Sequence, residues 1–209
     1  MKVLLVSATE LEIAPFMNNP LSAKADVLIT GISVPATIYH VTKQLMNNQY
    51  KLVIQAGIAG SFHKGFALGE VVWVKSDCFA DIGINEFSNF KTLFEMGLAG
   101  ENQFPFQKGY LINNSIVTKK FMLPPAIGIT VSNITNDIKI INNIQKKFTA
   151  DIETMEGAAF HYVCLQQKVN FLQIRAISNI VGERNKDKWQ LKEAIFELDK
   201  ELIKIFESL

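Results

Sequence analysis

Short runs of Val, Ile and Leu recur along the chain and alternate with segments whose apolar residues fall three and four positions apart. The runs KVLLVSA, DVLIT, KLVIQAG, GEVVWVKSDCFAD, AIGITVS and NFLQIRAIS carry the β-branched enrichment of strands. Most have so few polar positions that both faces should be covered, as in a parallel sheet. Between them, PATIYHVTKQLMNN, NDIKIINNIQKKF and TMEGAAFHYVCLQQ space their apolar residues as helices do, and KWQLKEAIFELDKELIKIFESL closes the chain as an amphipathic helix. The alternation predicts a three-layer α/β domain spanning residues 1–209. No repeat, low-complexity tract or linker interrupts it. Gly83 to Lys108 is the one long stretch of weak periodicity, and inside a compact domain such a stretch reads as a functional loop or an interface.

Composition narrows the partners. The chain has 209 residues with 21 Lys and Arg against 20 Asp and Glu, a net charge of +1, so nothing favours a nucleic-acid partner. No segment approaches the roughly 20 apolar residues of a membrane span, and MKVLLVSATELE lacks the cleavage site of a signal peptide. Cys78 and Cys164 lie far apart in apolar segments, as reduced core thiols of a cytoplasmic protein do. A soluble cytoplasmic protein is expected.

Four polar or glycine-containing sites follow predicted strands, and in an open α/β sheet such strand ends converge on one crevice. In SATELE, Glu10 and Glu12 follow the first strand. A carboxylate there can take a proton from water, or Thr9 can cap a short helix whose dipole both acids favour. QAGIAGSF, Gln55 to Phe62, brings two glycines three apart after a strand. It is neither a Walker loop nor a full dinucleotide fingerprint, so it reads as a close ligand approach or as a plain tight turn. In ETMEGAAFHYVC, Glu156 opens a helix, where its carboxylate can bind two ribose hydroxyls or simply sit in a first helical turn. His161 and Cys164 lack further metal ligands and read as core residues; His40 and His63 have no nucleophile beside them. Finally, Arg175 lies within an apolar strand that ends on Ser178-Asn179. Such a cation needs an anionic partner or solvent, and one of the glutamates is the natural partner.

SATELE, GIAGSF, TMEGAAFHYVC and RAISN, in this order and spacing over nearly the whole chain, resemble the nucleoside phosphorylase and nucleosidase superfamily. Within it, MEGAAFHYVC and SNIVGERNKDKW point to the futalosine hydrolases, relatives of the methylthioadenosine/S-adenosylhomocysteine nucleosidases. The resemblance implies a twisted mixed sheet flanked by helices, an active site at strand ends, and a homodimer or larger homo-oligomer acting on a purine nucleoside without metal or organic cofactor. It makes Glu12 the carboxylate that activates water, Arg175 a group that holds that water and its carboxylate, and Glu156 the ribose ligand. Thr9, Ile58, Ala59, Gly60 and Met155 fall at substrate-binding positions. Asn179 stands where adenine-cleaving nucleosidases carry an aspartate that contacts purine N7. An amide donates to both O6 and N7 of hypoxanthine, so this departure implies a 6-oxopurine. Ile58 replaces a serine of the adenine-specific enzymes, which weighs against phosphorolysis because phosphate needs hydroxyls and cations. Futalosine carries an aromatic carboxylate at its 5′ side, so an apolar slot ending in a cation is expected. Phe87, Phe90, Phe104 and Phe106 are candidates for the slot, or else pack a dimer or the core, and Lys108, Arg184 or Lys186 could be the cation.

Overall fold

The structure, a computed structural model, describes residues 2–62, 65–86, 89–115 and 121–209. In chain order the strands are β1 (Val3–Ser7), β2 (Ala25–Ile29), β3 (Leu52–Ser61), β4 (Val71–Asp77), β5 (Gly83–Glu86), β6 (Asn89–Thr92), β7 (Leu111–Ile112), β8 (Pro125–Thr130), β9 (Ile152–Thr154) and β10 (Phe171–Ile180). The α-helices are α1 (Glu10–Met17), α2 (Val34–Asn47), α3 (Ile138–Phe148), α4 (Gly157–Gln166) and α5 (Leu191–Glu207). The main sheet runs β10-β4-β8-β9-β3-β1-β2, with β7 beside β4. Because β3 also pairs with β10, the strands β3, β10, β4, β8 and β9 close into a ring.

The apolar runs cover both faces of this sheet. Along β1, Val3 and Leu5 pack into a cluster with Ile13 and Phe16 of α1 and Leu198, Leu202 and Phe206 of α5. Leu4 and Val6 point the other way, against Val41 of α2 and Phe160, Val163 and Cys164 of α4. That alternation is the period of two of a strand, and each fully buried Leu or Ile side chain stabilises the fold by about 1.5–3 kcal/mol. The layers are therefore α1 and α5, the sheet, and α2 with α4. The sheet is mixed: β1 and β10 run parallel to β3, while β4 is antiparallel to β10 and β9 to β3.

Three expectations change. DVLIT forms an edge strand, and Asp26 and Val27 are exposed, because β2 has a neighbour on one side only. QAGIAGS is no turn; it continues β3 to Ser61. IET, three residues long, is β9, too short to register a periodicity. In the weakly periodic segment, β5 and β6 form a separate two-stranded antiparallel sheet whose β5 residues are exposed.

Candidate active site

Glu12 serves as part of a helix cap and also lines the cavity. It is the third residue of α1, whose N-cap is Thr9. Its Oε2 accepts from the Thr9 amide at 3.0 Å, the Thr9 hydroxyl at 2.9 Å and the Ser7 hydroxyl at 3.3 Å. This is the return half of a capping box. Its Oε1 accepts from the Ile58 amide at 3.1 Å and faces the crevice. Thr9 itself does not line the cavity; its amide and hydroxyl hold Glu12.

The glycines of GIAG are explained by what lies across the strand. Gly57 pairs with Arg175 and Gly60 with Asn179. A Cβ on Gly57 would stand 2.5 Å from Arg175 Nη1 and 2.7 Å from Glu12 Oε1. Only glycine leaves room for a guanidinium and a carboxylate to approach the same backbone. Arg175 is 1% exposed; its Nη1 donates to the Ile58 carbonyl at 3.4 Å and stands 3.9 Å from Glu156 Oε2. Its Nε and Nη2 have no hydrogen-bond partner among the described residues. Glu156 is the expected anionic partner. It is the N-cap residue of α4, and its Oε1 accepts from the Ser33 amide at 3.1 Å. Ser33 holds φ at 102°, a left-handed value costly for a residue with a side chain, and this turns its amide onto the carboxylate. Burial raises the Glu156 pKa above its ordinary 4.5, with Arg175 and the Ser33 amide opposing.

Asn179 is aimed by a β-bulge. The register of β10 on β3 shifts between Ile177 and Asn179, so Ser178 is the extra residue, and bulges re-aim the following side chain. Ser178 Oγ donates to Asn179 Oδ1 at 2.8 Å, and Asn179 Nδ2 donates to the Ile180 carbonyl at 3.0 Å. One amide hydrogen stays free for a ligand. Glu12, Glu156 and Asn179 line one cavity of about 260 Å³, together with Ile58, Ala59, Gly60 and Met155. Seven of its walls were legible in advance, and Arg175, which does not line it, stands 3.9 Å from Glu156.

Other candidates fall elsewhere. Phe106 packs on Phe94 and Tyr162, ring centroids 5.2 and 6.0 Å away, Phe90 on Phe148 at 6.4 Å, and Phe104 is exposed; none lines this cavity. Phe87, His63 and Lys64 lie outside the described residues. Of the cations, Arg184 lines the cavity, whereas Lys108 lines a separate recess with Cys78 and Tyr110. His161 is buried, its Nδ1 set 3.0 Å from the Leu111 carbonyl, and burial lowers its pKa to about 4. Among the described residues no group of three His, Cys, Asp or Glu is arranged to hold a metal ion. Sequence reasoning missed Ser33, Glu153, Ile134 and Trp189. Of these, Glu153 had a signal: a lone acid between Ile152 and Met155.

A profile of known families identifies the class. Residues 26–207 match the Phosphorylase superfamily, and the chain belongs to it. Within that class, the futalosine hydrolase of Thermus thermophilus is 31% identical over 207 residues, covering 92% of this chain and 89% of its own. The fold is that of solved relatives. Futalosine hydrolase of Helicobacter pylori superposes with a TM-score of 0.80 at 16% identity, over 100% of this chain and 98% of the other. The 5′-methylthioadenosine/S-adenosylhomocysteine nucleosidase of Neisseria meningitidis, solved with methylthio-immucillin-A, gives 0.79 at 19%, over 100% and 99%.

Proposed function

We propose that the chain hydrolyses the N-glycosidic bond of futalosine, releasing hypoxanthine and dehypoxanthine futalosine. The observation that carries this reading is that Glu12, Glu156 and Asn179, from three separate segments, face one cavity. Glu12 takes a proton from water, whose oxygen attacks C1′ of the ribose as the bond to purine N9 breaks. Arg175, close to Gly57 and Glu156, orients the water and the carboxylates. Glu156 accepts hydrogen bonds from the ribose hydroxyls, and its charge stabilises the oxocarbenium character of the sugar. Met155 and Ile58 are the apolar walls around it. The electron pair of the broken bond moves into the purine, where Asn179 donates a hydrogen bond to N7 or O6; the base takes its proton from solvent, since an amide cannot supply one.

The remaining parts of the reading concern where and in what form the enzyme works. Cys78 and Cys164 are buried free thiols, which supports a reducing, cytoplasmic setting; no helix among the described residues is long and apolar enough to cross a membrane. A homo-oligomer is supported by the exposed apolar side chains Ile32, Tyr39 and Met46, which continue from the cavity wall onto α2. Sedimentation at micromolar concentration tests the assembly; a monomer at all concentrations refutes it.

The activity is tested by incubating the purified protein with futalosine, inosine and methylthioadenosine, each with and without phosphate, and measuring free base by chromatography. Phosphate-independent hypoxanthine from futalosine is the expected result. Phosphate-dependent release from inosine would make the protein a phosphorylase, and no release from any substrate would make it a nucleoside-binding protein.

A further inference from the structure

Glu153 is a carboxyl without a task in the reaction above. It is 7% exposed, lines the same cavity as Asn179, and its side chain has no hydrogen-bond partner among the described residues. A carboxyl that lines a cavity with no protein partner is available to a ligand seated there. The sheet register says which part of the ligand. Gly60 of β3 pairs on one side with Asn179 of β10 and on the other with Glu153 of β9. The three residues form one row across the sheet, and side chains opposite one another in paired strands stand on the same face. The middle member has no side chain. With strands about 4.8 Å apart, the outer backbones are roughly 10 Å apart, a gap that fits a flat heterocycle with a hydrogen bond at each flank.

The geometry points to Glu153 as a second base-reading residue, one that pairs with the N1–H and O6 edge of a 6-oxopurine while Asn179 holds the N7 side. This inference rests on the nucleoside-hydrolase reading of the cavity. With O6 directed at the Gly60 gap, N7 falls on the Asn179 flank and N1 on the Glu153 flank. The protonation of the residue suits the lactam. Burial, reinforced by the negative charge of Asp81 and opposed by Arg184, raises its pKa to about 7. A neutral carboxyl offers one acceptor for N1–H and one donor for O6. Of the other charged groups on the cavity wall, Glu12 and Glu156 have their roles in the reaction above, Arg184 opposes the raised pKa of Glu153, and Glu183 pairs with Lys188 at 2.9 Å.

Calorimetric titration with hypoxanthine and 1-methylhypoxanthine tests the contact without relying on turnover. The wild-type protein is expected to bind hypoxanthine at least about tenfold more tightly than the N1-methylated base, the worth of one good hydrogen bond. Glu153→Ala should bring that ratio within about threefold, and Glu153→Gln, whose amide also pairs with a lactam, should preserve it. Equal binding of the two bases by the wild-type protein, or an unchanged ratio in Glu153→Ala, overturns the assignment. Futalosine hydrolysis is followed in parallel. If the ratio behaves as expected and futalosine is not cleaved, the base contact stands and the hydrolase reading falls.

Discussion

Replacing Gly57 by alanine perturbs the site through a single methyl group. That methyl would stand 2.5 Å from Arg175 Nη1 and 2.7 Å from Glu12 Oε1, whereas ordinary contact begins at 3.4 Å. The guanidinium must therefore retreat by about 0.9 Å and the carboxylate by about 0.7 Å, or the strand must bend away by a similar distance. Neither side chain moves freely. Glu12 is fixed by the Thr9, Ser7 and Ile58 donors, and Arg175 is enclosed on all sides. A displacement near 1 Å of a group that positions the reacting atoms costs about 10²-fold, which corresponds to about 2.7 kcal/mol in the barrier. Overpacking destabilises a fold by roughly 1–3 kcal/mol, so the variant should remain folded with a lowered melting temperature. The assay is steady-state futalosine hydrolysis, with circular dichroism to verify folding. A folded Gly57→Ala enzyme within threefold of wild-type kcat would refute the claim that Glu12 and Arg175 act from their observed positions.

Glu12→Gln keeps an acceptor for the helix cap but has no basicity, so kcat should fall at least about 10²-fold, the lower range for a lost general base, with KM little changed; unimpaired turnover would mean a different base. Asn179→Asp places a second oxygen beside the Ile180 carbonyl in place of the amide that donates at 3.0 Å, which favours a protonated carboxyl, and preference should move toward 6-amino purine nucleosides; unaltered hypoxanthine release from futalosine would show that the base contact lies elsewhere. In the proposed reaction Glu156 binds hydroxyls as an anion, and its pKa is raised, so activity should fall with acidification at a pH above the ordinary glutamate range, and Arg175→Met, which removes the opposing charge, should move that limb further up. Asp77, buried and raised to about 7, binds its proton more tightly folded than unfolded, so its contribution to stability is present below about pH 4 and is lost as pH rises toward 7; Asp77→Asn should flatten the melting-temperature profile across that range, and an unchanged slope would exclude Asp77 as its source.

What the sequence made legible follows from the length scale of each signal. Runs such as KVLLVSA and NFLQIRAIS are long enough to show that both faces are buried, and the structure places their neighbours on both sides. Glu12, Glu156 and Asn179 were found because each breaks a local pattern next to a strand end. Glu153 breaks a pattern too, but β9 is three residues long, and no periodicity marks it as a strand whose side chains face the cavity. The GIAG segment read as a ligand approach or a tight turn, because glycine is the usual turn former; it continues β3 instead of turning, and lines the cavity. Its real constraint lies 118 positions away in the chain, where Arg175 pairs with Gly57, and long-range register of this kind leaves no local trace. Ser33 was missed for a similar reason: the task of its amide is defined by a carboxylate on α4.

The buried Arg175 unites these features. A guanidinium removed from water is strongly penalised unless anions compensate it, yet its nearest carboxylate, Glu156, is 3.9 Å away, and two of its nitrogens have no partner among the described residues. Its charge is instead spread over several groups. It lowers the pKa of Asp77 and of Glu156 against the burial that raises both, and it helps keep His161 neutral. Glycine at position 57 then lets this cation stand beside Glu12 without an ion pair within 4 Å. The carboxylate is held in place by the Thr9, Ser7 and Ile58 donors instead. The spacing of the two charges is thus set by Gly57, in the backbone of β3 as much as in the charged side chains around it.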